Sequence, residues 1–289
     1  MNGIFQTLGA AFAQRPVRPA LALLAALAVV PAHAAGKAGA EIEKQDWSFA
    51  GIFGQYDQAQ LQRGLQVYRE ACGICHSMEM VAFRTLTAET GPNLPEDTVK
   101  AIAAQYTITD ISNETGQPFQ RPAVLTDNFP PPYANEIQAA AAFGGAYPPD
   151  FSLIAKARAA HRGFPGFVID IFDNYAENGP DYIYALMLAY QDPPEGEEAV
   201  PSKWYNPVFM AGPWISMPPP LRDGQIKYQD GSPETAEQYA ADVSAFLMWA
   251  AEPKLEERKE LGFRVMLFLA VFAVLLYLTK RKIWRNVKH

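Results

Sequence analysis

The chain has 289 residues, of which 49% are hydrophobic and 19% charged, and its formal net charge is −7 at pH 7. This length is sufficient for one sizeable buried core, and the acidic balance excludes nucleic-acid binding driven by charge. Only two cysteines are present, so a framework of several disulfides is excluded as well. No Ser-His-Asp, P-loop or paired-carboxylate pattern stands out, and we therefore expect no bond-making chemistry from this chain alone.

The first 34 residues have the features of an export signal. Two arginines precede an apolar run at residues 20–30, and Ala32-His33-Ala34 matches an A-x-A cleavage site. The lack of acidic residues before Glu41 would also suit a mitochondrial transit peptide, but the compact apolar run favours a bacterial secretory signal. The run is too short to serve as a first membrane anchor. We therefore expect residues 1–34 to be a signal peptide.

The part that would remain after cleavage is much more acidic than the whole chain. Residues 35–260 contain all 31 acidic residues but only 16 of the 24 basic ones, which gives a formal charge of −15. Such a domain repels nucleic acids and anionic lipids and attracts cationic partners. The simpler alternative is that this acidity serves solubility only.

A helix is predicted to lead into the most informative motif. Asp57 is suited to begin it, with Gln60 as capping-box partner, and apolar residues follow at helical spacing: Leu61, Leu65, Val67, Tyr68 and Ala71. Next comes Cys72-Gly73-Ile74-Cys75-His76, the C-x-x-C-H pattern for covalent attachment of a c-type haem. The two thiols would bond to the porphyrin, and the imidazole of His76 would bind the iron.

A C-x-x-C pair also occurs in zinc sites and in dithiol oxidoreductases. A zinc site is disfavoured because the chain has no further cysteine to complete the ligand set. A dithiol oxidoreductase would need a thioredoxin-like βαβ pattern, which is not evident, but it stays as an alternative function.

Beyond the motif the pattern predicts a mostly helical domain with few strands. Residues 91–147 are rich in turn formers, apart from a helical run at residues 136–143. The predicted elements that follow are a rigid loop at 144–150, helices at 151–162 and 180–191, an acidic proline-bearing loop at 192–207, a segment with few helix signals at 208–221, and an amphipathic helix at 235–251.

A second axial ligand is expected, because a six-coordinate iron reorganises little during electron transfer. Met217 is favoured because the three prolines after it restrict its backbone. Met210, in the same loop region, and His161 stay as alternatives. The other histidines and methionines are unsuitable because they lie in the signal, beyond the membrane helix, too close to His76, or on apolar helix faces: His33, His289, Met78, Met80, Met187 and Met248.

Residues 261–279 form a second apolar segment, interrupted only by Gly262 and Arg264. The segment is slightly short for a membrane helix, which needs about 20 residues, but Arg264 near its start can reach the headgroups. Residues 280–289 carry five cations and no acid, which marks the cytoplasmic side. We expect a single-pass inner-membrane protein with residues 35–260 in the periplasm; a buried core helix is the alternative.

These motifs together resemble the cytochrome c1 family, the haem subunits of the cytochrome bc1 complex (ubiquinol–cytochrome c reductase). Besides the haem motif, the resemblance rests on Pro148-Pro149-Asp150-x-Ser152, on residues 182–190, on Trp214-Ile215-Ser216-Met217-Pro218-Pro219-Pro220-Leu221, and on the segment from Asp242 to Pro253.

The resemblance implies a mainly α, cytochrome c-like haem domain with long loop insertions and one C-terminal transmembrane helix. It implies one haem c bonded to Cys72 and Cys75, with His76 and Met217 as axial ligands. It further implies a redox subunit that works with cytochrome b in a dimeric complex within the lipid bilayer. Electrons would come from the Rieske iron–sulfur protein and go to a cytochrome c, for which Glu195, Glu197 and Glu198 are a candidate docking surface.

The chain departs from the family at two points. Many relatives have an arginine and an asparagine where Ala140 and Phe143 stand here, and that arginine has been linked to a haem propionate. The propionate contact is therefore unassigned, with Arg121 as a candidate. An extra cysteine pair of some bacterial relatives is also absent.

Overall fold

The computed structural model describes residues 42–159 and 178–286, so the predicted signal peptide and His161 lie outside the described residues. Helices alternate with long loops over most of this range. The α-helices there are α1 (Gln58–Val67), α2 (Glu96–Ala103), α3 (Glu136–Ala142), α4 (Ile154–Ala157), α5 (Gly179–Leu188), α6 (Ala236–Ala251) and α7 (Leu255–Trp284). The described residues also form two antiparallel pairs of short strands: β1 (Thr107–Ile111) with β2 (Pro118–Pro122), and β3 (Trp204–Tyr205) with β4 (Trp214–Ile215).

Helices α1 and α6 cross at very close range in the centre of the core. A Cβ atom at Gly64 of α1 would lie 2.2 Å from the carbonyl oxygen of Asp242 and 2.5 Å from the Cβ of Phe246 in α6. Only glycine therefore permits this approach. The fully buried side chains around the crossing include Leu61, Phe246 and Trp249.

A capping side chain begins each of these two helices, and Asp57 was the one predicted from the sequence. The Asp57 carboxylate accepts hydrogen bonds from the backbone of Ala59 and Gln60, and the Thr235 hydroxyl accepts one from Gln238. Helix α1 continues as one π-helical turn at Tyr68–Cys72. Such turns are common at functional sites, and this one carries the chain directly into the haem motif.

Two sequence expectations need correction. Residues 151–162 were predicted to be helical, but within the described part only Ile154–Ala157 is α-helix. The turn-rich region 91–147 contains α2 and the β1–β2 hairpin, which were not predicted. Helix α2 has a recognisable signal, since Pro95 and two acidic residues precede its apolar face.

Helix α7 is longer than the predicted membrane segment. Its 30 residues extend for about 45 Å, and residues 261–279 lie entirely within it. None of its 18-residue apolar window is buried against the rest of the chain. The alternative of a buried core helix is therefore wrong, and the helix is suited to anchor the domain in a membrane.

Candidate haem-binding site

A cavity of about 460 Å³ opens beside the C-x-x-C-H motif. This volume is in the range of small-molecule and cofactor sites, about 300–1,000 Å³. Three parts of the chain line it: Cys75 and His76, residues of α5, and the segment 214–218 that includes Met217. Most of the other lining residues are aromatic or aliphatic, including Phe143, Phe151, Ile154, Phe209 and Leu247. The cavity thus suits a large, flat, apolar cofactor.

The imidazole of His76 is held in one orientation. Its Nδ1 lies 2.8 Å from the carbonyl oxygen of Pro149, and because a carbonyl can only accept, Nδ1 carries the hydrogen. Its ring also stacks on Phe151 with centroids 3.9 Å apart and planes inclined by 19°. Burial lowers the pKa of His76, partly offset by the Pro149 hydrogen bond and the Asp150 charge. The neutral ring therefore keeps Nε2 free to bind a metal.

Met217 reaches the same cavity from a different part of the chain. It lies two residues after the end of β4 and is half-buried. The Tyr190 hydroxyl donates a 3.1 Å hydrogen bond to the Met217 carbonyl, and Pro218 restricts the next residue. The thioether is thus held on a constrained backbone, as predicted from the three prolines.

The other candidate ligands fare differently. Met210 is 57% exposed and is not among the described lining residues, while His161 lies outside the described residues. Met187, which the helical pattern placed in the core, is half-buried and lines the cavity. Two thioethers therefore face the site, a point that the sequence pattern did not reveal.

The two cysteines are free thiols. Cys75 lines the cavity, whereas Cys72 is buried at the end of the π-helical turn and is not among the lining residues. Burial, with a smaller effect of Cys75, raises the pKa of Cys72 to about 12, and burial raises that of Cys75. Dithiol oxidoreductases instead lower a thiol pKa. Nor does the described part of the chain hold a cluster of three or more residues suited to a metal ion such as zinc.

Arg121, the sequence candidate for the propionate contact, is engaged in ion pairs elsewhere. The guanidinium of Arg121 is bound by Asp110 and Asp127, each at 2.6 Å, and it is not among the described residues that line the cavity. The cations that do line it are Arg158 and Lys203. Neither was singled out by the sequence, because one lay in a predicted helix and the other in the acidic loop.

A helical domain with an apolar cavity beside a C-x-x-C-H motif, followed by the exposed apolar helix α7, is typical of a membrane-anchored c-type haem protein. The family model described as Cytochrome C1 family matches residues 47–287. The cytochrome c1 of Blastochloris viridis is 50% identical over 265 residues, which are 91% of this chain and 93% of that protein. The cytochrome c1 of Rhodospirillum rubrum is 45% identical, with 91% and 94% of the two chains covered. The chain belongs to the cytochrome c1 family, the electron-transfer haem subunits of the cytochrome bc1 complex.

A third relative is larger. The protein called cytochrome b/c1 in Bradyrhizobium diazoefficiens is 50% identical over 241 residues, which are 83% of this chain. The chain spans only about a third of that protein, since the match covers 35% of its length.

Proposed function

We propose that this chain carries one covalent haem c, bonded to Cys72 and Cys75, with His76 and Met217 as its axial iron ligands. It would receive electrons from the Rieske iron–sulfur protein and pass them to a cytochrome c. The observation that carries the proposal is that an oriented imidazole and a constrained thioether, from segments 141 residues apart, line one apolar cavity beside two free thiols.

The bound haem would supply the one-electron chemistry of its iron. The residues of the chain would hold that iron in nearly the same surroundings in both oxidation states. The hydrogen bond from His76 to the Pro149 carbonyl fixes the imidazole, and the hydrogen bond from the Tyr190 hydroxyl fixes the backbone of Met217. The apolar lining excludes water and favours the less charged, reduced form, and a Met/His ligand pair also raises the potential.

The proposed partners follow from the exposed surfaces. Helix α7 leaves its apolar side chains open to lipid or to helices of cytochrome b, and a relative whose name joins cytochromes b and c1 supports that pairing. We place the haem domain in the periplasm and the basic C-terminus in the cytoplasm, within a dimeric bc1 complex. Glu195, Glu197 and Glu198 are all exposed and suit a cationic cytochrome c.

A redox titration of the haem-loaded chain tests the ligand assignment. Met217→Leu should lower the midpoint potential by at least about 100 mV, since axial-ligand identity tunes haem over about 0.8 V. Met187→Leu is the matched control, because it removes the other thioether that lines the cavity and should leave the midpoint nearly unchanged. The reverse result would assign the ligand to Met187.

Carbon monoxide and gel analysis distinguish the other functions. The reduced protein should hardly change its spectrum with carbon monoxide, because a Met/His site has no open position; a large change would indicate a haem enzyme or gas sensor. Haem should stay with the chain on a denaturing gel. A chain without covalent haem would point to a dithiol protein and contradict the proposal.

A further inference from the structure

Two cations stand out in the otherwise apolar cavity. Among its described lining residues, Arg158 and Lys203 are the basic ones and no aspartate or glutamate is present. The predicted exported domain as a whole has a formal charge of −15. A local excess of positive charge in such an acidic domain calls for a specific anionic partner.

Neither cation has such a partner within the described parts of the chain. The Arg158 guanidinium and the Lys203 ammonium make no ion pair or side-chain hydrogen bond there. Lys156, two residues before Arg158, is by contrast paired with Glu252 at 3.0 Å. The charges of Arg158 and Lys203 are therefore available to a group that enters the cavity.

Arg158 and Lys203 reach the cavity from two different segments of the chain. The Tyr182 hydroxyl accepts a 3.3 Å hydrogen bond from the backbone of Met210, in the loop between β3 and β4. Arg158 lies close enough to Tyr182 for its charge to act on that hydroxyl. Lys203 directly precedes β3, at the end of a turn closed by its own N–H on Val200 at 3.1 Å.

We infer that Arg158 and Lys203 form the subsite that binds the two propionate carboxylates of the haem in this chain. The inference rests on the proposed function, because it takes haem as the occupant. Haem is apolar apart from these two carboxylates, and a carboxylate beside an apolar cavity needs a counter-charge. The subsite would take over the role of the arginine that many relatives have at the position of Ala140.

The test uses the full chain, loaded with haem and solubilised in detergent. The midpoint potential is measured from pH 5 to 9 for wild type, Arg158→Gln, Lys203→Gln and the double variant. Arg84→Gln and Lys100→Gln remove the same charges from exposed side chains that do not line the cavity. Arg158→Lys keeps the charge and serves as the conservative variant.

A propionate next to a cation stays ionised at lower pH, because an opposite charge within about 4–6 Å lowers a carboxyl pKa by about 1–3 units. As the pH falls, protonation of a propionate raises the midpoint potential. Loss of a cation should therefore move the start of this rise to a pH about one unit higher. The controls and Arg158→Lys should retain the wild-type curve. Tyr147 and Tyr182 also line the cavity, but burial raises their pKa values, so they should not titrate in this range.

The inference is wrong if Lys203→Gln and Arg158→Gln both keep the wild-type pH dependence. It is also wrong if cavity and control variants lower the midpoint equally at every pH, which would indicate only the general field of the domain. Should Arg158→Gln fail to fold, Lys203→Gln decides alone, because Lys203 is an exposed side chain. In each of these cases covalent haem and the Met217→Leu effect still report separately on the proposed function.

Discussion

Asp150 connects the two segments that hold the imidazole of His76 in place. Its Oδ2 accepts hydrogen bonds from the Ser77 hydroxyl at 2.7 Å and the Glu79 backbone at 2.9 Å, and its Oδ1 accepts one from the Ser152 backbone at 2.8 Å. Burial alone would raise the pKa of Asp150, but these donors outweigh it and the pKa is lowered. An ionised carboxylate thus fastens the Pro148-Pro149 loop to the end of the haem motif.

Removal of this carboxylate should loosen the site. We expect Asp150→Ala to lower the free energy of unfolding by about 1–3 kcal/mol, because three donors lose their partner. Asp150→Asn keeps one carbonyl acceptor, and its free energy of unfolding should lie between those of wild type and Asp150→Ala. Thermal denaturation of the haem-loaded protein measures this, and Asp97→Ala, whose side chain is 97% exposed, should stay within about 0.5 kcal/mol of wild type. Equal stability of all four proteins would contradict this role.

At the scale of single residues, local sequence patterns predict only part of the site, and the reason is physical. The roles of Cys72, Cys75 and His76 can be proposed from the sequence because the C-x-x-C-H pattern occupies five consecutive residues. The pairing of Ser77 with Asp150 joins positions 73 residues apart, and the cavity contacts of Met187, Arg158 and Lys203 likewise depend on tertiary packing. No local pattern contains that information.

At the scale of elements, the α1–α6 crossing organises the domain. Arg63 of α1 donates two hydrogen bonds to the buried Asp242 carboxylate of α6, from Nε at 3.0 Å and from Nη2 at 3.2 Å. The Tyr228 hydroxyl donates a third hydrogen bond to the same carboxylate at 2.8 Å. The two helices were predictable because caps and apolar spacing are local signals. Their crossing point was not, since a lone glycine in a helix has many possible causes.

Gly64→Ala tests the crossing. The new methyl group would lie 2.2 Å from a backbone oxygen of α6, which cannot move without displacing the helix. We expect overpacking to lower the free energy of unfolding by about 1–3 kcal/mol, although alanine improves helix propensity by up to about 1 kcal/mol. Gly262→Ala in α7 is the matched control, because nothing lies within 4 Å of its added Cβ. A stabilised Gly64→Ala protein in denaturant unfolding would show that the helices are farther apart.

The whole molecule separates its charges along the chain. All acidic residues lie before Leu261, the last of them in the first turns of α7, and cations dominate after residue 279. This arrangement and the membrane helix could be read from the sequence, because both depend on composition over long windows. The hairpin β1–β2 could not, since the five-residue strand Thr107–Ile111 is too short to stand out among turn formers and is held by the Arg121 ion pairs with Asp110 and Asp127.

The acidic loop should control the rate of association with a cationic cytochrome c. Charge complementarity raises association rates by about 10–1,000-fold at low salt, so we expect amide substitution of Glu195, Glu197 and Glu198 to slow electron transfer by about tenfold there. The difference should vanish near 1 M salt, where charges are screened within about 3 Å. Stopped-flow mixing of the reduced, detergent-solubilised protein with an oxidised cationic cytochrome c measures the electron-transfer rate at low salt and near 1 M salt. Amides at Glu89, Asp97 and Glu114, which are also exposed, remove the same net charge elsewhere; an equal effect of this control would mean that only the total charge of the domain matters.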